Sequence, residues 1–157
     1  NVNFVDLSKT EIKNFKLMND DILFVRTNGN PNYIGRSAIF ENTSESFAFA
    51  SYLIRLRINK NKILPNYILY YLQSSVARKQ FRMLAHTSAG NFNINTEDIR
   101  SIKIIVPEIN EQKQIISFLN NLQQVISKQK EHIKKLYLLR QSILNSKLTK
   151  EKTNVAN

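Results

Sequence analysis

No cysteine occurs in the 157 residues, which excludes disulfides, thiolate zinc sites and a cysteine nucleophile. Glycine and proline are scarce, three of each, and leave little room for long irregular loops. None of the glycines (Gly29, Gly35, Gly90) forms a Gly-x-Gly turn ahead of a helix, so a nucleotide or methyl-donor site of the doubly wound kind is not expected. The apolar runs are short and broken by Arg, Ser or Asn, so neither a membrane span nor a signal peptide is expected, and the cytoplasm is the expected compartment. The two histidines, His86 and His132, offer no metal-ligand spacing, and neither metal nor cofactor is expected. Asp20-Asp21 and Glu97-Asp98 read as turn and cap residues, and no Ser-His-Asp pattern or phosphate loop stands out. An enzyme is not expected. The chain starts at Asn1 without an initiator methionine, as a fragment or processed piece does.

What is present is positive charge. The 23 basic and 12 acidic residues leave a net +11, which predicts attraction to a polyanion, most simply nucleic acid. The excess is uneven. Residues 112–150 carry Lys113, Lys128, Lys130, Lys134, Lys135, Arg140, Lys147 and Lys150 against Glu131 alone.

Two regimes of hydrophobic patterning meet near Pro107. Before it, the β-branched and aromatic run Ile22–Val25 predicts a buried strand after the turn-like Asn19-Asp20-Asp21. Residues Ile34–Phe40 read as a second strand, with Gly35 allowing a close approach or a bulge. Phe47–Ile58 reads as a third, with Tyr52, Ile54, Leu56 and Ile58 on one face and Leu53, Arg55 and Arg57 on the other. Pro65 opens a helix in which Ile68, Leu72 and Val76 recur every four residues, and Arg78, Lys79 and Arg82 follow near its end. Ile102–Val106 is expected to be a last strand, stopped by Pro107. Mixed strands and helices over about 110 residues predict an α+β domain.

After Pro107 the pattern is helical. Glu111–Ser146 contains no Gly or Pro, and a 3–4 spacing links Ile115, Leu119, Leu122, Ile126, Gln129, Ile133, Leu136, Arg140 and Ile143. At ~1.5 Å per residue those 36 residues span roughly 54 Å, longer than a domain of this size accommodates. Burying a Leu or Ile is worth ~1.5–3 kcal/mol, so seven apolar positions predict a partner helix over a fold-back onto the chain's own domain. The polar Gln129 and Arg140 would then set register.

Two polar stretches are candidate sites. "RTNGNPNYIGR" (26–36) contains Asn30-Pro31-Asn32-Tyr33, one residue away from the Asn-Pro-Pro-Tyr signature of adenine methylation. Without the second proline and a donor-binding glycine turn, it is not read as an active site. Its Arg26, Asn28, Asn30, Asn32, Tyr33 and Arg36 instead suit DNA: Asn pairs with adenine edges, Arg with guanine, and Tyr or Arg with phosphates. A solvated, Asn-rich turn is the alternative. "HTSAGNFNINTED" (86–98) has the same character, with Gly90 read as permitting close backbone approach. Asn95 or Thr96 is expected to cap a short turn there, leaving Ser88, Asn91 and Asn93 for contact.

The segment "INTEDIRSIKIIVPEINEQKQIISFLNNLQQVI" resembles the C-terminal half of a target-recognition repeat from the specificity subunits of type I restriction–modification systems. The matching features are the strand-like Ile102–Val106, Pro107, Glu111-Gln112 and the Ile/Leu-rich helix from Ile115. Upstream, "NDDILFVRTNGNPNYIGRSAIF" and "PNYILYYLQS" resemble the family's first strands and central helix. The resemblance implies an N-terminally partial target-recognition domain over 1–108, a spacer and dimerisation helix over 109–149 and a flexible tail over 150–157. It implies a non-catalytic subunit that reads one half of a bipartite double-stranded DNA target and positions methyltransferase subunits, with a restriction subunit as a further partner. The helix would pair with that of a second recognition repeat or of a second copy, through Ile115, Leu119, Leu122, Ile126, Ile133, Leu136 and Ile143. The rival readings are a coiled-coil adaptor with no DNA role and the recognition tail of a fused methyltransferase or nuclease.

Overall fold

The computed structural model describes residues 6–41 and 46–154. It shows the expected α+β class: two small antiparallel sheets, short helices and a long C-terminal helix. Two compact units divide the chain, one up to Ile116 and one from Ser117 onward.

The first sheet is built on β1 (Ile22–Val25), flanked by β3 (Ser37–Ile39) and β4 (Leu53–Leu56). Ile22 and Phe24 alternate onto the core face and are fully buried, as a period of two dictates. They pack with Ile34, Ile68, Leu72, Ala77, Phe81, Ile94 and Ile102; the Phe24 and Phe81 rings lie 5.8 Å apart. Facing the other way on β4, Arg55 donates to the Lys16 carbonyl at 2.8 Å. Beyond its end, Arg57 grips Asp21 through Nε at 2.7 Å and a second nitrogen at 2.6 Å. Asp21 also accepts from the Met18 N–H at 2.7 Å, closing the turn ahead of β1. The helix α1 (Lys9–Phe15), for which the sequence reading had no assignment, starts on a Ser8–Glu11 capping box.

Four sequence expectations need correction. The second strand is only Ser37–Ile39, because Pro31–Tyr33 form a 3-10 turn that delivers Ile34 into the core. The third strand shrinks to Leu53–Leu56: Ala48 bridges Lys16, and a turn closed by Leu53 N–H to Ala50 O (3.0 Å) intervenes. The single helix from Pro65 is two, α2 (Pro65–Gln73) and α3 (Ser75–Leu84), broken at extended Ser74, whose side chain caps Ala77 N–H. The break turns Val76 outward to 60% exposure and brings Ala77 and Phe81 into the core instead.

The last expected strand, Ile102–Val106, has no ladder partner among the described residues. The alternation that suggested it is real, with Ile102 buried and Ile104 packed on the core. Its neighbours are helical side chains. Tyr71 and Gln80 donate to the Lys103 carbonyl (2.8 and 3.2 Å), and Tyr67 donates to that of Ile105 (2.7 Å). Backbone groups need partners, but those partners need not be another strand.

Helix α5 (Ile109–Asn154) begins where the sequence pattern changes. The flexible tail expected over 150–157 runs beyond the described residues, of which Asn154 is the last.

Candidate nucleic-acid interface

The two polar stretches chosen from sequence meet in one sheet. Its strands are β2 (Thr27–Asn28), β6 (Asn91–Asn93) and β5 (His86–Ser88), with β6 in the middle. Thr27 pairs with Asn93 and Asn28 with Phe92; on the other side His86, Thr87 and Ser88 pair with Asn93, Phe92 and Asn91. Arg26 is the hinge between the two sheets. Its N–H donates to Tyr52 O and its carbonyl accepts from Ile94 N–H, each at 2.9 Å. One continuous backbone therefore leaves the first sheet and enters the second at this residue, with the Arg26 side chain exposed.

The 26–36 stretch is a closed loop. At its neck Gly35 N–H donates to Val25 O and Val25 N–H to Arg36 O, both at 2.9 Å. Within it the Asn28 Oδ1 accepts from Asn30 N–H and the Asn30 Oδ1 from Asn32 N–H, each at 2.9 Å. These are side-chain turns that asparagine makes readily. A carboxamide oxygen has two lone pairs, so each Asn keeps an acceptor site and its NH2 for another partner. The Arg36 guanidinium lies 3.9 Å over the Tyr33 ring, and both side chains are exposed.

Arg78 of α3 holds this loop from behind. Its guanidinium donates to the Ile34 carbonyl at 2.8 Å and to the Asn32 carbonyl. Burial lowers its pKa, and the charges of Arg36 and Arg82 lower it further. Gly35 makes the close packing feasible. Its φ is +70°, and a Cβ there would lie 2.3 Å from the Phe81 ring. The expected close approach is therefore real at Gly35.

Gly90 meets no other part of the protein: nothing lies within 4 Å of a Cβ built there, so its backbone is open on that side. The residue is glycine because Ala89 (φ 47°) and Gly90 (φ 80°) form a two-residue hairpin turn between Ser88 and Asn91, which demands left-handed backbone. Just past the hairpin, Asn95 caps α4 (Thr96–Arg100) in a capping box with Asp98.

Strand alternation sorts the candidate residues by face. Asn91, Asn93 and Ser88 share one face with Thr27 and His86; Asn28 shares the opposite face with Phe92, which packs on the core. Asn30, Asn32, Tyr33 and Arg36 belong to the adjoining loop. Thr27, His86, Arg78 and Arg82 were not selected from sequence. The first two could have been found by strand alternation, once 86–93 is read as a hairpin around Ala89-Gly90. The arginines look like the ordinary cationic end of a helix, and only the fold brings Arg78 to the loop.

In the second unit, the long helix carries its apolar positions outward. Leu122, Ile126, Ile133, Leu136 and Ile143 are 43–64% exposed. Of the other two seam positions, Leu119 in this unit and Ile115 in the first are each half-buried. A second row at seven-residue spacing, Phe118, Val125, His132 and Leu139, runs beside the first; it is apolar except at His132 and is also exposed. Two rows make a wider face than the single seam read from sequence. No helix among the described residues is long and apolar enough to cross a membrane.

Residues 2–138 match the family described as the type I restriction modification DNA specificity domain. Among curated proteins, a putative type I restriction enzyme MjaX specificity subunit of Methanocaldococcus jannaschii is 31% identical over 92% of this chain and 34% of its own length. The StySPI specificity subunit of Salmonella potsdam is 30% identical over 75% of this chain and 26% of its length. The EcoKI specificity subunit of Escherichia coli K12 is 29% identical over 77% and 26%. The chain spans between a quarter and a third of the length of these relatives.

Proposed function

The chain belongs to the type I restriction modification DNA specificity domain family, and from that premise we propose that it reads one half of a bipartite double-stranded DNA target. The β2–β6–β5 sheet and the adjoining 26–36 loop supply the reading surface. The observation that carries this reading is the convergence of two polar segments, some sixty residues apart in sequence, into one sheet. That sheet sets Asn91, Asn93 and Ser88 on one face, and the Arg26 side chain is exposed where the backbone enters it. Asn and Arg carry the paired donor and acceptor geometry that distinguishes adenine and guanine edges.

The chain itself is not a catalyst in this reading. It places separate methyltransferase subunits, and through them a restriction subunit, on the DNA in the cytoplasm. The apolar face of α5 pairs with the corresponding helix of a second recognition unit, in the same polypeptide or in a second copy. Two copies related by a twofold axis would read a palindromic target.

The test is binding selection from a pool of randomised duplexes. Asn91→Ala, Asn93→Ala and Arg26→Ala should each relax the preference at a defined base position, with a discrimination loss of ~1–3 kcal/mol. Weakening by one common factor on every sequence would make these side chains backbone contacts and remove the reading surface from this sheet.

A further inference from the structure

Resting on that reading, we propose that Arg36 and Arg82, flanking the guanidinium of Arg78, form a clamp for one backbone phosphodiester of the duplex beside the reading loop. Arg78 and Arg82 sit one turn apart on α3 and so share a face. Arg78 is engaged with protein: its nitrogens hold the carbonyls of Asn32 and Ile34. Tyr33, the residue between those two carbonyls, carries Arg36 over its ring. Arg78 and Arg36 thus meet on one knot of backbone, and Arg82, one turn along α3, is near enough for its charge to act on Arg78.

Among the described residues, no ion pair joins Arg36, Arg78 or Arg82 to a carboxylate. The structural role of Arg78 explains that residue alone. It gives no reason for two further cations to stand near a half-buried charge, where like charges repel. An anion bound between Arg36 and Arg82 would relieve the repulsion, and guanidinium forks match phosphate oxygens in geometry. The position fits a backbone contact. The same loop presents Asn30 and Asn32, so a phosphate held here lies on the duplex backbone beside the base edges, and the contact itself carries no sequence information.

The experiment measures affinity of the full chain for a preferred duplex and an unrelated duplex over a range of salt concentrations. Arg82→Ala and Arg36→Ala should each weaken both duplexes by the same factor. Each should also reduce the slope of log affinity against log salt by about 0.9, the signature of one released counterion. Arg82→Lys should restore the slope, and Lys79→Ala, next along α3, should change it less than Arg82→Ala does. Because Arg82 is exposed, its melting temperature should stay that of the parent chain.

The clamp is overturned if the parent binds duplex and both alanine variants keep its affinity and slope; the reading surface then stands without it. It is also overturned if either variant weakens one duplex selectively, since that marks a base contact. Displacement of duplex by inorganic phosphate far beyond that by chloride at equal ionic strength would identify a free-anion site and reject the phosphodiester. Failure of the parent chain to bind any duplex rejects the clamp and the reading together.

Discussion

The side chain of Gln112, in the first turn of α5, accepts a hydrogen bond from the backbone N–H of Leu64 at 2.8 Å. The same carboxamide donates to the carbonyls of Lys62 (3.0 Å) and Pro107 (2.8 Å), and the residue is completely buried. Leu64 precedes α2 and has no side chain able to cap it. Gln112 thus ties the start of α2 to Pro107, just ahead of α5, which is a physical reason for the glutamine of Glu111-Gln112.

Replacing Gln112 with Leu should destabilise the first unit by about 2 kcal/mol, because a part-buried N–H and two carbonyls lose their partner. Urea unfolding followed by far-ultraviolet circular dichroism measures it. A loss under 1 kcal/mol would mean that water enters and satisfies those groups.

Acid should loosen the protein through Asp21. Burial by itself raises the Asp21 carboxyl pKa, yet the Arg57 guanidinium, the Met18 N–H and the charge of Arg55 outweigh burial and hold it below the usual carboxylate value. A depressed folded-state pKa contributes stability that is fully present above the unfolded value of ~3.9 and is lost as pH falls through the folded value. Asp21→Asn should therefore cost about 2 kcal/mol at pH 7 and flatten the decline of stability below pH ~4. Parallel slopes for parent and variant in that acid range would contradict the assignment.

Gly35 should tolerate no side chain. Left-handed backbone and the collision with Phe81 together predict about 3 kcal/mol of destabilisation for Gly35→Ala. Adding Phe81→Leu should recover part of the loss relative to the sum of the single variants, since it relieves the clash but not the backbone strain. Strict additivity in thermal melts would show that the ring and the Cβ never meet.

The apolar face of α5 should govern assembly. Leu122→Asp with Leu136→Asp places two charges where 43% and 53% exposed leucines now stand. Sedimentation equilibrium should report a paired species for the parent chain and a monomer for the double variant, with helix content reduced. A parent chain that is monomeric at tens of micromolar would end the pairing proposal for this chain alone.

Legibility of the sequence followed the range of the forces involved. Ile22–Val25 was readable as a strand because its apolar and β-branched run needs only burial. The helix from Ile109 was readable because its spacing persists without Gly or Pro. Ile102–Val106 misled because alternation reports which side chains face a core, not which groups bond the backbone. The break at Ser74 was missed because a serine can sit inside a helix or cap the next one; the packing of Phe81 under Gly35 goes with the second choice.

By itself, then, the order of residues settled composition, charge, the α+β class and the long amphipathic rod, all properties of neighbours along the chain. Folding alone decided that Thr27 would lie against Asn93, that Arg78 would grip the loop at Asn32, and that Gln112 would reach Leu64. Those are contacts between partners 46 to 66 positions apart. The free energy of such a contact depends on how every intervening element packs, which no local pattern records.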